Sequence, residues 1–367
     1  MLKILITGGC GFIGSHIADR LLKEGHDVSI IDNLNSTKGI VPNYLDPKIN
    51  FIKGDLRDLE LLKNIINKFD IIFHEASSVG IAQSNYEVDG FIDNNCLGTA
   101  RLLQAIIDSK QKPKLIVSAS NTSYGEGIYS CDNCGTFHPN IRERDYVNET
   151  GFEIVCPKCG GPSKPLPTNE GTALDCNSVY AYTKKFQEEN SLFLGKLYGF
   201  PVVVLRYFNV FGPRQSLSNP YTGVTAIFAS RIKNNQEVIV YEDGLQTRDF
   251  VYIDDVVEAN ILSMKNASAN NKIFNIGSGK PITIKKVAEE LYTFFNKKPK
   301  IIINKKFRKG DIRHCIADSS MAKSILNWEP KVSFYEGLKN MFEWSKNQGS
   351  FSDIEMANTE LKERGLV

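Results

Sequence analysis

The chain lacks a charge excess of either sign and any long apolar run. Its 44 lysines and arginines nearly match its 42 aspartates and glutamates, so the formal net charge is only +2. This balance gives no reason to expect binding to nucleic acid or to an anionic membrane. No segment has the ~18 consecutive apolar residues of a membrane span, and the apolar run at residues 4–6 is too short for a secretory signal. We therefore expect a cytoplasmic protein.

The chain also lacks low-complexity linkers, and in the cytoplasm its eight cysteines would not form disulfides. Four of them form two Cys-x-x-Cys pairs, each followed by glycine, a spacing typical of a tetrahedral zinc site. We predict a structural zinc held by Cys131, Cys134, Cys156 and Cys159, with a redox dithiol or a metal-free loop as alternatives. His138 follows the first pair, but four thiolates already complete such a site. The other cysteines show no ligand spacing and are expected to be packed side chains.

A glycine-rich segment at residues 7–14 lies between an apolar run typical of a strand and a stretch with helical apolar spacing. Three glycines of such a unit would permit the tight turn, the approach of a pyrophosphate and the close packing of the helix, namely Gly8, Gly11 and Gly14. The free amides at the helix start, around Phe12 and Ile13, would hold the phosphates. The segment therefore predicts a dinucleotide site.

The next apolar run, at residues 28–31, predicts a second strand that ends in Asp32 and is followed by Asn33. A carboxylate at this point can accept hydrogen bonds from the hydroxyls of an adenosine ribose, and it would repel a 2′-phosphate. We therefore expect NAD rather than NADP, with both residues close to the cofactor.

Apolar runs and helical patterns alternate through residues 49–118, which is typical of an α/β fold with a doubly wound parallel (Rossmann) sheet. Ligands of such a sheet bind at the carboxyl ends of its strands. The residues expected at those ends are Gly8, Asp32, Asp55, Ala76 and Ser120. One cofactor would touch all of them. Asp55 and Leu56 are placed to meet the adenine ring, although an aspartate after a strand is as often a turn former.

Tyr180 and Lys184 are four residues apart at the start of a predicted helix, which places them on one helix face, about one turn apart. The pKa of a free phenol is about 10, so positive charges from Lys184 and an oxidised nicotinamide would have to lower it. Tyr180 could then remove a hydroxyl proton while hydride leaves the same carbon, and Ser120 could share that proton. Tyr182 is off the lysine face. The alternative is an ordinary surface pair of tyrosine and lysine.

Three motifs resemble the extended short-chain dehydrogenase/reductases, and among them the NAD-dependent nucleotide-sugar epimerases and dehydratases. The motifs are the glycine-rich segment, Tyr180-x-x-x-Lys184, and Arg-Tyr-Phe-Asn-Val-Phe-Gly-Pro-Arg-Gln at residues 206–215. The resemblance extends through almost the whole chain, with further matching blocks at 243–251, 275–279 and 308–313. It implies three catalytic residues, Ser120, Tyr180 and Lys184. It also implies that Asn209, Arg248 and Arg308 bind the substrate diphosphate and that Asp311 binds its ribose. Asn95 would support the floor of the cofactor site.

The residues that follow Ser120 bear on the reaction. The 4,6-dehydratases resemble one another in an Asp-Glu pair or a single Glu at this point, because the elimination of water needs an acid and a base. Here the positions hold Asn121 and Thr122, which we assign to the substrate pocket. Dehydration and decarboxylation therefore lose support, and C4 epimerisation through a 4-keto intermediate gains it. Such an enzyme regenerates its NAD in every turnover and would retain it.

The cysteine insertion and several other segments resemble the dTDP-L-rhamnose 4-epimerases. The segments are 124–127, 156–160, 165–170, 218–223 and 360–367. This resemblance implies a nucleotide-sugar substrate with a deoxyhexose. A UDP-hexose 4-epimerase of the glucose/galactose type, a nucleotide-sugar dehydratase and, in another class, a non-catalytic zinc-ribbon docking protein remain alternatives.

We expect three units in the chain. An NAD-binding domain would span residues 1–211 and return at about 249–276, a zinc ribbon would be inserted at 128–164, and a smaller substrate domain would comprise 212–248 and 277–367. A zinc with four thiolate ligands has no open position for water or substrate, so the ribbon would support folding rather than catalysis. The family resemblance also implies a homodimer.

Overall fold

A computed structural model of the chain describes residues 1–217, 219 and 223–348. The segment 360–367 and most of the segment 218–223, both noted in the sequence, lie outside the described residues. The strands are, in chain order, β1 (Lys3–Thr7), β2 (Asp27–Asp32), β3 (Asn50–Lys53), β4 (Ile71–His74), β5 (Lys114–Ser120), β6 (Ile128–Cys131), β7 (Gly135–Phe137), β8 (Lys164–Thr168), β9 (Val202–Tyr207), β10 (Asn209–Phe211), β11 (Val238–Val240), β12 (Thr247–Tyr252), β13 (Lys272–Ile276), β14 (Pro281–Thr283), β15 (Ile301–Ile303) and β16 (Ile316–Ala317).

The α-helices are α1 (Phe12–Lys23), α2 (Leu59–Ile66), α3 (Ile81–Ser84), α4 (Val88–Phe91), α5 (Gly98–Asp108), α6 (Arg144–Thr150), α7 (Val179–Tyr198), α8 (Val224–Lys233), α9 (Ile253–Lys265), α10 (Ile284–Phe294) and α11 (Phe334–Lys346). A π-helical turn, Ile92–Leu97, joins α4 to α5, and a second one spans Ala322–Leu326. Within the part of the chain that the structure describes, no helix is both long and apolar enough to cross a membrane.

The largest sheet has seven parallel strands in the order β13-β9-β5-β4-β1-β2-β3. The chain builds β1, β2 and β3 towards one edge, then returns to add β4, β5, β9 and β13 towards the other edge. The order therefore reverses between β1 and β4, and at such a point a parallel α/β sheet opens a crevice at the carboxyl ends of its strands. The observed sheet confirms the predicted doubly wound fold.

Helices cover both faces of this sheet. Helices α1 and α9 pack on one face, and α2, α5 and α7 pack on the other. Because both faces are covered, the central strands are continuous apolar runs instead of alternating ones. In β1 and β9, for example, Ile4, Leu5, Val203 and Val204 have no exposed surface. This apolar packing fixes the strand ends from which the site is built.

The cysteine-bearing segment belongs to a separate four-stranded sheet, in the order β16-β8-β6-β7. Strands β6 and β7 form a hairpin, and β8 pairs with β6 in antiparallel fashion. Strand β8 also pairs in parallel with β16, which lies almost 150 residues further along the chain. The sheet therefore extends past residue 164, and it joins the inserted segment to the C-terminal part of the described chain.

Candidate active site

A cleft of about 1450 Å³ lies at the carboxyl ends of the parallel strands. It is lined by nearly every residue that the sequence assigned to cofactor, substrate or catalysis, namely Gly8, Gly11, Phe12, Ile13, Gly14, Asp32, Asn33, Asp55, Leu56, Ala76, Ser120, Asn121, Thr122, Tyr180, Lys184, Asn209, Arg248, Arg308 and Asp311. The exceptions are Asn95 and the four cysteines. Residues from both halves of the chain therefore face one continuous space.

Glycine is required at two positions of the loop between β1 and α1. Gly8 has a φ of +69°, and a Cβ there would lie 2.8 Å from the backbone of Ala76. A Cβ on Gly14 would lie 2.5 Å from the carbonyl oxygen of Gly8. The loop leads into α1, whose first turn has no acidic side chain and whose N-cap residue, Gly11, supplies no side-chain cap. The amides of this turn are available for an anion such as a pyrophosphate.

The Asp32 carboxylate joins the end of β2 to the glycine loop. Its Oδ2 accepts a hydrogen bond from the backbone amide of Cys10 at 3.0 Å, and its Oδ1 accepts one from the amide of Leu34 at 2.8 Å. Each carboxylate oxygen can accept a further hydrogen bond. The side chain is thus fixed in place and can still receive the hydroxyls of a ribose.

Asp55 has an ionic partner that the sequence analysis missed. The Arg57 guanidinium donates to both oxygens of Asp55, at 2.9 and 2.7 Å, and the Asn33 amide donates to Oδ2 at 2.9 Å. Hydrogen bonds from Arg57 hold the pKa of Asp55 well below its usual range. Asp55 is therefore an ionised side chain held at the cleft wall, more than a simple turn former.

Tyr180 lies near the start of α7 and faces the cleft. Ser178 caps this helix by accepting a hydrogen bond from the amide of Ala181, and the Tyr180 amide donates to Ser84 Oγ at 2.9 Å. Burial raises the pKa of the phenol to about 12, and a hydrogen bond with Ser120 opposes that rise. In the absence of a cofactor the phenol is therefore neutral at physiological pH.

The hydrogen bonds of the Lys184 ammonium hold it beside β5 and within α7. Its hydrogen bonds go to the Ser118 carbonyl at 2.7 Å, to Ser118 Oγ at 3.2 Å and to Gln187 Oε1 at 2.8 Å. Burial lowers the pKa of this lysine. A hydrogen bond with Ser120 lowers the pKa of the phenol, and the combined effect of Lys184 and an oxidised nicotinamide stays a prediction.

A buried network fixes the position of Lys184. Gln187 donates from its amide to Thr99 Oγ1 at 2.8 Å, and Thr99 in turn lies 2.8 Å from His74 Nε2. The other ring nitrogen of His74 lies 2.9 Å from Thr7 Oγ1, at the end of β1. Burial lowers the pKa of His74 to about 3, so this imidazole is neutral and adds no charge. Through these hydrogen bonds the lysine is connected to the carboxyl ends of β1 and β4.

The Ser120 hydroxyl is oriented by its neighbours. Thr122 donates to Ser120 Oγ from its own hydroxyl at 2.9 Å and from its amide at 3.2 Å. These two bonds use both acceptor positions of a hydroxyl and leave its proton for another partner. Ser120 is therefore set up to donate to the Tyr180 oxygen or to a substrate oxygen.

Asn95 is placed differently from the prediction that grouped it with the cofactor residues. It is fully buried in the π-helical turn, and its neighbour Asn94 lines the cleft instead. The Asn95 amide accepts from the Ser78 amide at 2.7 Å and donates to Ser78 O and Thr183 Oγ1. It joins the cleft loop to α7, which agrees with a supporting role but not with direct contact to a cofactor.

At the far end of the cleft, Arg308 and Asp311 pair with each other. The guanidinium donates to both carboxylate oxygens at 2.9 Å and lies over the Tyr241 ring at 5.0 Å. Arg248 is held by the carbonyl of Thr247 at 2.8 Å and by that of Arg313 at 3.3 Å. Two guanidinium groups therefore face one end of the cleft, which suits a diphosphate.

Asn209 adds an acceptor that has no partner in the protein. Its side-chain oxygen is buried, and it accepts no hydrogen bond from any described residue. A buried unpaired oxygen costs roughly 1–3 kcal/mol, so a ligand donor at this place would be favoured. This observation supports a role for Asn209 in binding.

Glu75 and Arg214 are among the charged cleft residues that received no role from the sequence. Glu75 precedes Ala76 at the end of β4, its carboxylate accepts from Tyr207 OH at 3.0 Å, and burial raises its pKa. Arg214 has a φ of +68°, pairs with Asp19 at 2.7 Å and lies over an aromatic ring. The strand-end rule that selected Ala76 could have included Glu75. The backbone strain at Arg214 had no sequence signal.

The four cysteines of the two pairs converge outside the cleft. All four Sγ atoms lie within 4.8 Å of one another, and those of Cys131 and Cys159 are 3.6 Å apart. A tetrahedral zinc with Zn–S bonds of about 2.3 Å holds its sulfurs about 3.8 Å apart. His138 instead donates to the carbonyl of Glu126 at 2.7 Å. The donor set and spacing fit a four-thiolate zinc and leave the imidazole outside it.

Comparison with known proteins gives two matching family models. The model described as NAD dependent epimerase/dehydratase family matches residues 4–142. The model described as GDP-mannose 4,6 dehydratase matches residues 160–341. Together these models cover the sheet and the residues of the cleft, and they leave residues 143–159, which include the second cysteine pair, unmatched.

Curated relatives align with the chain along nearly their whole length. A putative UDP-glucose 4-epimerase of Methanocaldococcus jannaschii is 31% identical over 94% of this chain and 98% of its own. A dTDP-L-rhamnose 4-epimerase of Burkholderia thailandensis is 31% identical over 93% and 94%. A UDP-N-acetyl-alpha-D-glucosaminuronate decarboxylase of Bacillus cytotoxicus is 32% identical over 93% and 97%. Relatives with different activities are about equally identical to this chain, so overall identity does not decide the reaction. The residues of the site have to decide it.

Solved structures are similar over the same span. A UDP-glucose 4-epimerase of Thermotoga maritima with UDP-glucose has a TM-score of 0.76 and 34% identity, covering 94% of this chain and 99% of its own. A mutant UDP-glucuronic acid 4-epimerase from Bacillus cereus, in complex with a fluorinated UDP-sugar and NAD, has a TM-score of 0.77 and 25% identity over 94% and 99%.

Proposed function

The chain belongs to the NAD-dependent epimerase/dehydratase family, and from this membership we propose that it is an NAD-dependent nucleotide-sugar 4-epimerase. The relatives and solved structures with epimerase activity support this class of reaction. The observation that carries the proposal is one cleft with three parts. The same cleft is lined by the glycine-rich loop, by Arg248 and Arg308, and by Tyr180 with Ser120.

The residues of the cleft would hold the substrate and move a proton, while the cofactor would carry hydride. NAD, when bound, would supply the acceptor and later the donor of hydride at C4 of the sugar. Ionised Tyr180 takes the proton of the C4 hydroxyl and returns it after the ketone has turned over, while Ser120 donates to the same oxygen. Arg248 and Arg308 hold the diphosphate, so the sugar pivots about a fixed end.

The phenol needs positive charge to act as a base. In the protein alone its pKa is about 12, raised by burial. A nicotinamide cation beside it, together with the charge of buried Lys184, would lower that pKa. The group is protonated below its pKa and ionised above it, so we expect the rate to rise with pH.

A 4,6-dehydratase is the second candidate, since the dehydratase model matches residues 160–341. Elimination needs an acid and a base beside the catalytic hydroxyl. The side chains next to Ser120 are an amide and a hydroxyl, Asn121 and Thr122. Glu75 is the buried carboxylate that would have to serve, and it is held by Tyr207. We therefore favour epimerisation, and the catalytic residues within the cleft disfavour a docking protein without activity.

For the substrate we propose a dTDP-activated deoxyhexose, with L-rhamnose as the first candidate. The relative from Burkholderia and the cysteine insertion support this choice. A UDP-hexose is the alternative, because the relative from Methanocaldococcus is as similar.

The test is incubation of the purified protein with dTDP-L-rhamnose, UDP-glucose and UDP-galactose, followed by proton NMR. We expect the C4 epimer of one of them to accumulate to an equilibrium mixture without added NAD. A 4-keto-6-deoxy product from a nucleotide hexose would instead establish dehydration. No product from any of the sugars, in protein shown to contain NAD, would contradict the proposal.

We also propose that the cysteine group, Cys131, Cys134, Cys156 and Cys159, binds one structural zinc. Its support is the convergence of four thiols at zinc-like spacing. Two of the cysteines are buried and none faces the cleft, so the metal would hold the insertion together and take no part in the reaction. The reduced thiols that this requires agree with a cytoplasmic location.

We propose a homodimer through the helices that hold Asn95 to Ser109 and Tyr180 to Phe193, which are α5 with the turn before it and α7. Helix α7 carries exposed apolar side chains on one face, with Tyr182, Phe193 and Leu197 each about 60% exposed. An apolar stripe of this kind on a long helix fits a second copy of the same helix. Light scattering should give about twice the chain mass of 41.1 kDa, and Phe193→Glu should give the monomer.

A further inference from the structure

We infer that Arg142, a residue of the cysteine-bearing insertion, is a positioning residue for the diphosphate end of the cleft. It holds the segment 307–313, which carries Arg308 and Asp311, and it does not itself line the cleft. This inference rests on the proposed function, since it concerns how the nucleotide-sugar substrate is held.

The segment that carries Arg308 has no regular secondary structure of its own. Between β15, which ends at Ile303, and β16, which begins at Ile316, the chain forms turns and bends without a helix or strand. Backbone hydrogen bonds hold the two ends of this loop, at residues 304–306 and 313–314, and side-chain contacts position the part between them. The placement of Arg308 therefore depends on what packs against this loop.

Arg142 contacts the loop on both sides of Arg308. Its Nη2 donates to the carbonyl oxygen of Asp311 at 3.1 Å. Its guanidinium lies over the Phe307 ring, 5.3 Å from the centroid. The side chain is 2% exposed, so both contacts are shielded from water. Residues 307 and 311 are thereby tied to a single planar group.

Three further hydrogen bonds hold the Arg142 guanidinium in place. Its Nε donates to Glu126 Oε1 at 2.9 Å, its Nη1 donates to the Phe152 carbonyl at 2.9 Å, and its Nη2 also donates to Glu242 Oε1 at 3.0 Å. Both glutamates are buried. A rigid fork with all its nitrogens bonded fixes the loop more narrowly than a flexible ammonium would.

The second arginine of the cleft is connected to the same unit. Glu126 accepts from the backbone amide of Arg313 at 2.7 Å, and the carbonyl of Arg313 accepts from Arg248 at 3.3 Å. Arg142 and Glu126 together therefore support both guanidinium groups that face the diphosphate. The insertion would thus control substrate affinity without contributing a group to the reaction.

The experiment measures binding of UDP and of dTDP by calorimetry in the NAD-containing full chain, with the variants Arg142→Met, Arg308→Met and their combination. We expect Arg142→Met to weaken nucleotide binding by about 10- to 100-fold, because a small misplacement of a clamp has effects of this size. Bound NAD should remain unchanged. Arg144→Met is the matched control, since Arg144 is exposed on the same insertion.

The double variant separates positioning from general damage. If Arg142 acts through Arg308 and Arg248, the double variant will lose less affinity than the two single losses added together, because coupled residues are not additive. Arg142→Lys, which keeps the buried charge, is used as well and should show an intermediate loss. With the sugar that turns over, KM should rise while kcat changes less.

The outcomes divide clearly. Unchanged nucleotide binding in both Arg142→Met and Arg142→Lys would overturn the inference and leave the proposed function intact. Full additivity in the double variant would also overturn it. If the wild-type protein binds neither UDP nor dTDP, the proposed function fails and this inference fails with it.

Discussion

The core of the seven-stranded sheet is apolar, whereas the core between the insertion and the C-terminal part is ionic. In the sheet, helices on both faces bury strands of isoleucine, leucine and valine. Around the insertion, four charged side chains are at most 2% exposed, namely Glu126, Arg142, Glu242 and Arg313. The two regions border the same cleft but are held together by different forces.

The two cores differ because the inserted segment is much smaller than the domain built on the seven-stranded sheet. A segment of about 40 residues buries too little apolar surface to fold alone and usually needs a metal, disulfides or a partner. The inserted segment has few buried apolar residues, among them Tyr129, Val147 and Ile154. It therefore depends on the cysteine group at one end and on ion pairs with the rest of the chain at the other.

Buried ion pairs add little stability compared with apolar side chains of the same size, but they specify which groups meet. The Arg313 guanidinium joins Glu242 and Asp243, both at 2.7 Å, and also Glu153 of the insertion. The apolar sheet thus supplies stability and the strand ends, and the ionic core specifies how the insertion docks. The predictions below test this division.

The largest effect should come from the sheet side of the cleft. Tyr180→Phe removes the general base, and we expect kcat to fall by about 10²- to 10⁴-fold while bound NAD, zinc content and Tm stay as they are. Tyr182→Phe is the control, because this tyrosine lies on the same helix and is exposed. If steady-state kinetics showed full activity for Tyr180→Phe, the general base would be a residue other than Tyr180.

An intermediate effect is expected from the ionic core. Arg313→Met leaves Glu242 with Arg142 as its remaining arginine partner, and it should lower the free energy of unfolding by about 3 kcal/mol. Arg20→Met breaks half-exposed pairs with Glu24 and Glu258 and should cost less than about 1 kcal/mol. Urea denaturation compares the two variants. Equal losses would mean that the buried charges are coupled no more strongly than surface charges.

The smallest effect on the reaction should come from the cysteine group. A four-thiolate site should hold about one zinc ion per chain, and Cys156→Ser should abolish this binding. The same substitution should change kcat by less than about threefold. Cys176→Ser is the control, since this buried cysteine lies outside the group. Elemental analysis and initial rates provide the measurements. Retained zinc in Cys156→Ser, or a loss of kcat as large as that of Tyr180→Phe, would contradict the division.

Most of the residues predicted for the site line the cleft, because parallel strands place their carboxyl ends along one edge. The end of a strand can be recognised from where an apolar run stops, and this rule alone selected Asp32, Ala76 and Ser120. The spacing of Tyr180 and Lys184 was readable because helix geometry relates neighbours four residues apart. The fold class followed from the same alternation of strand and helix patterns.

The rule does not extend to side chains that meet across long distances in sequence. Lys184 bonds to Ser118 and Gln187, and Asn95 bonds to Thr183 of α7. These buried hydrogen-bond partners are known only from the packing.

The sequence by itself determined the doubly wound sheet, the dinucleotide loop and the convergence of two cysteine pairs, because each depends on local periodicity or on short fixed spacings. Only the tertiary structure decided how the insertion is attached. Arg142 meets Glu242 across 100 residues and the Asp311 carbonyl across 169, and no local pattern encodes contacts of that separation. They arise because buried charges must find opposite charges wherever the chain brings them.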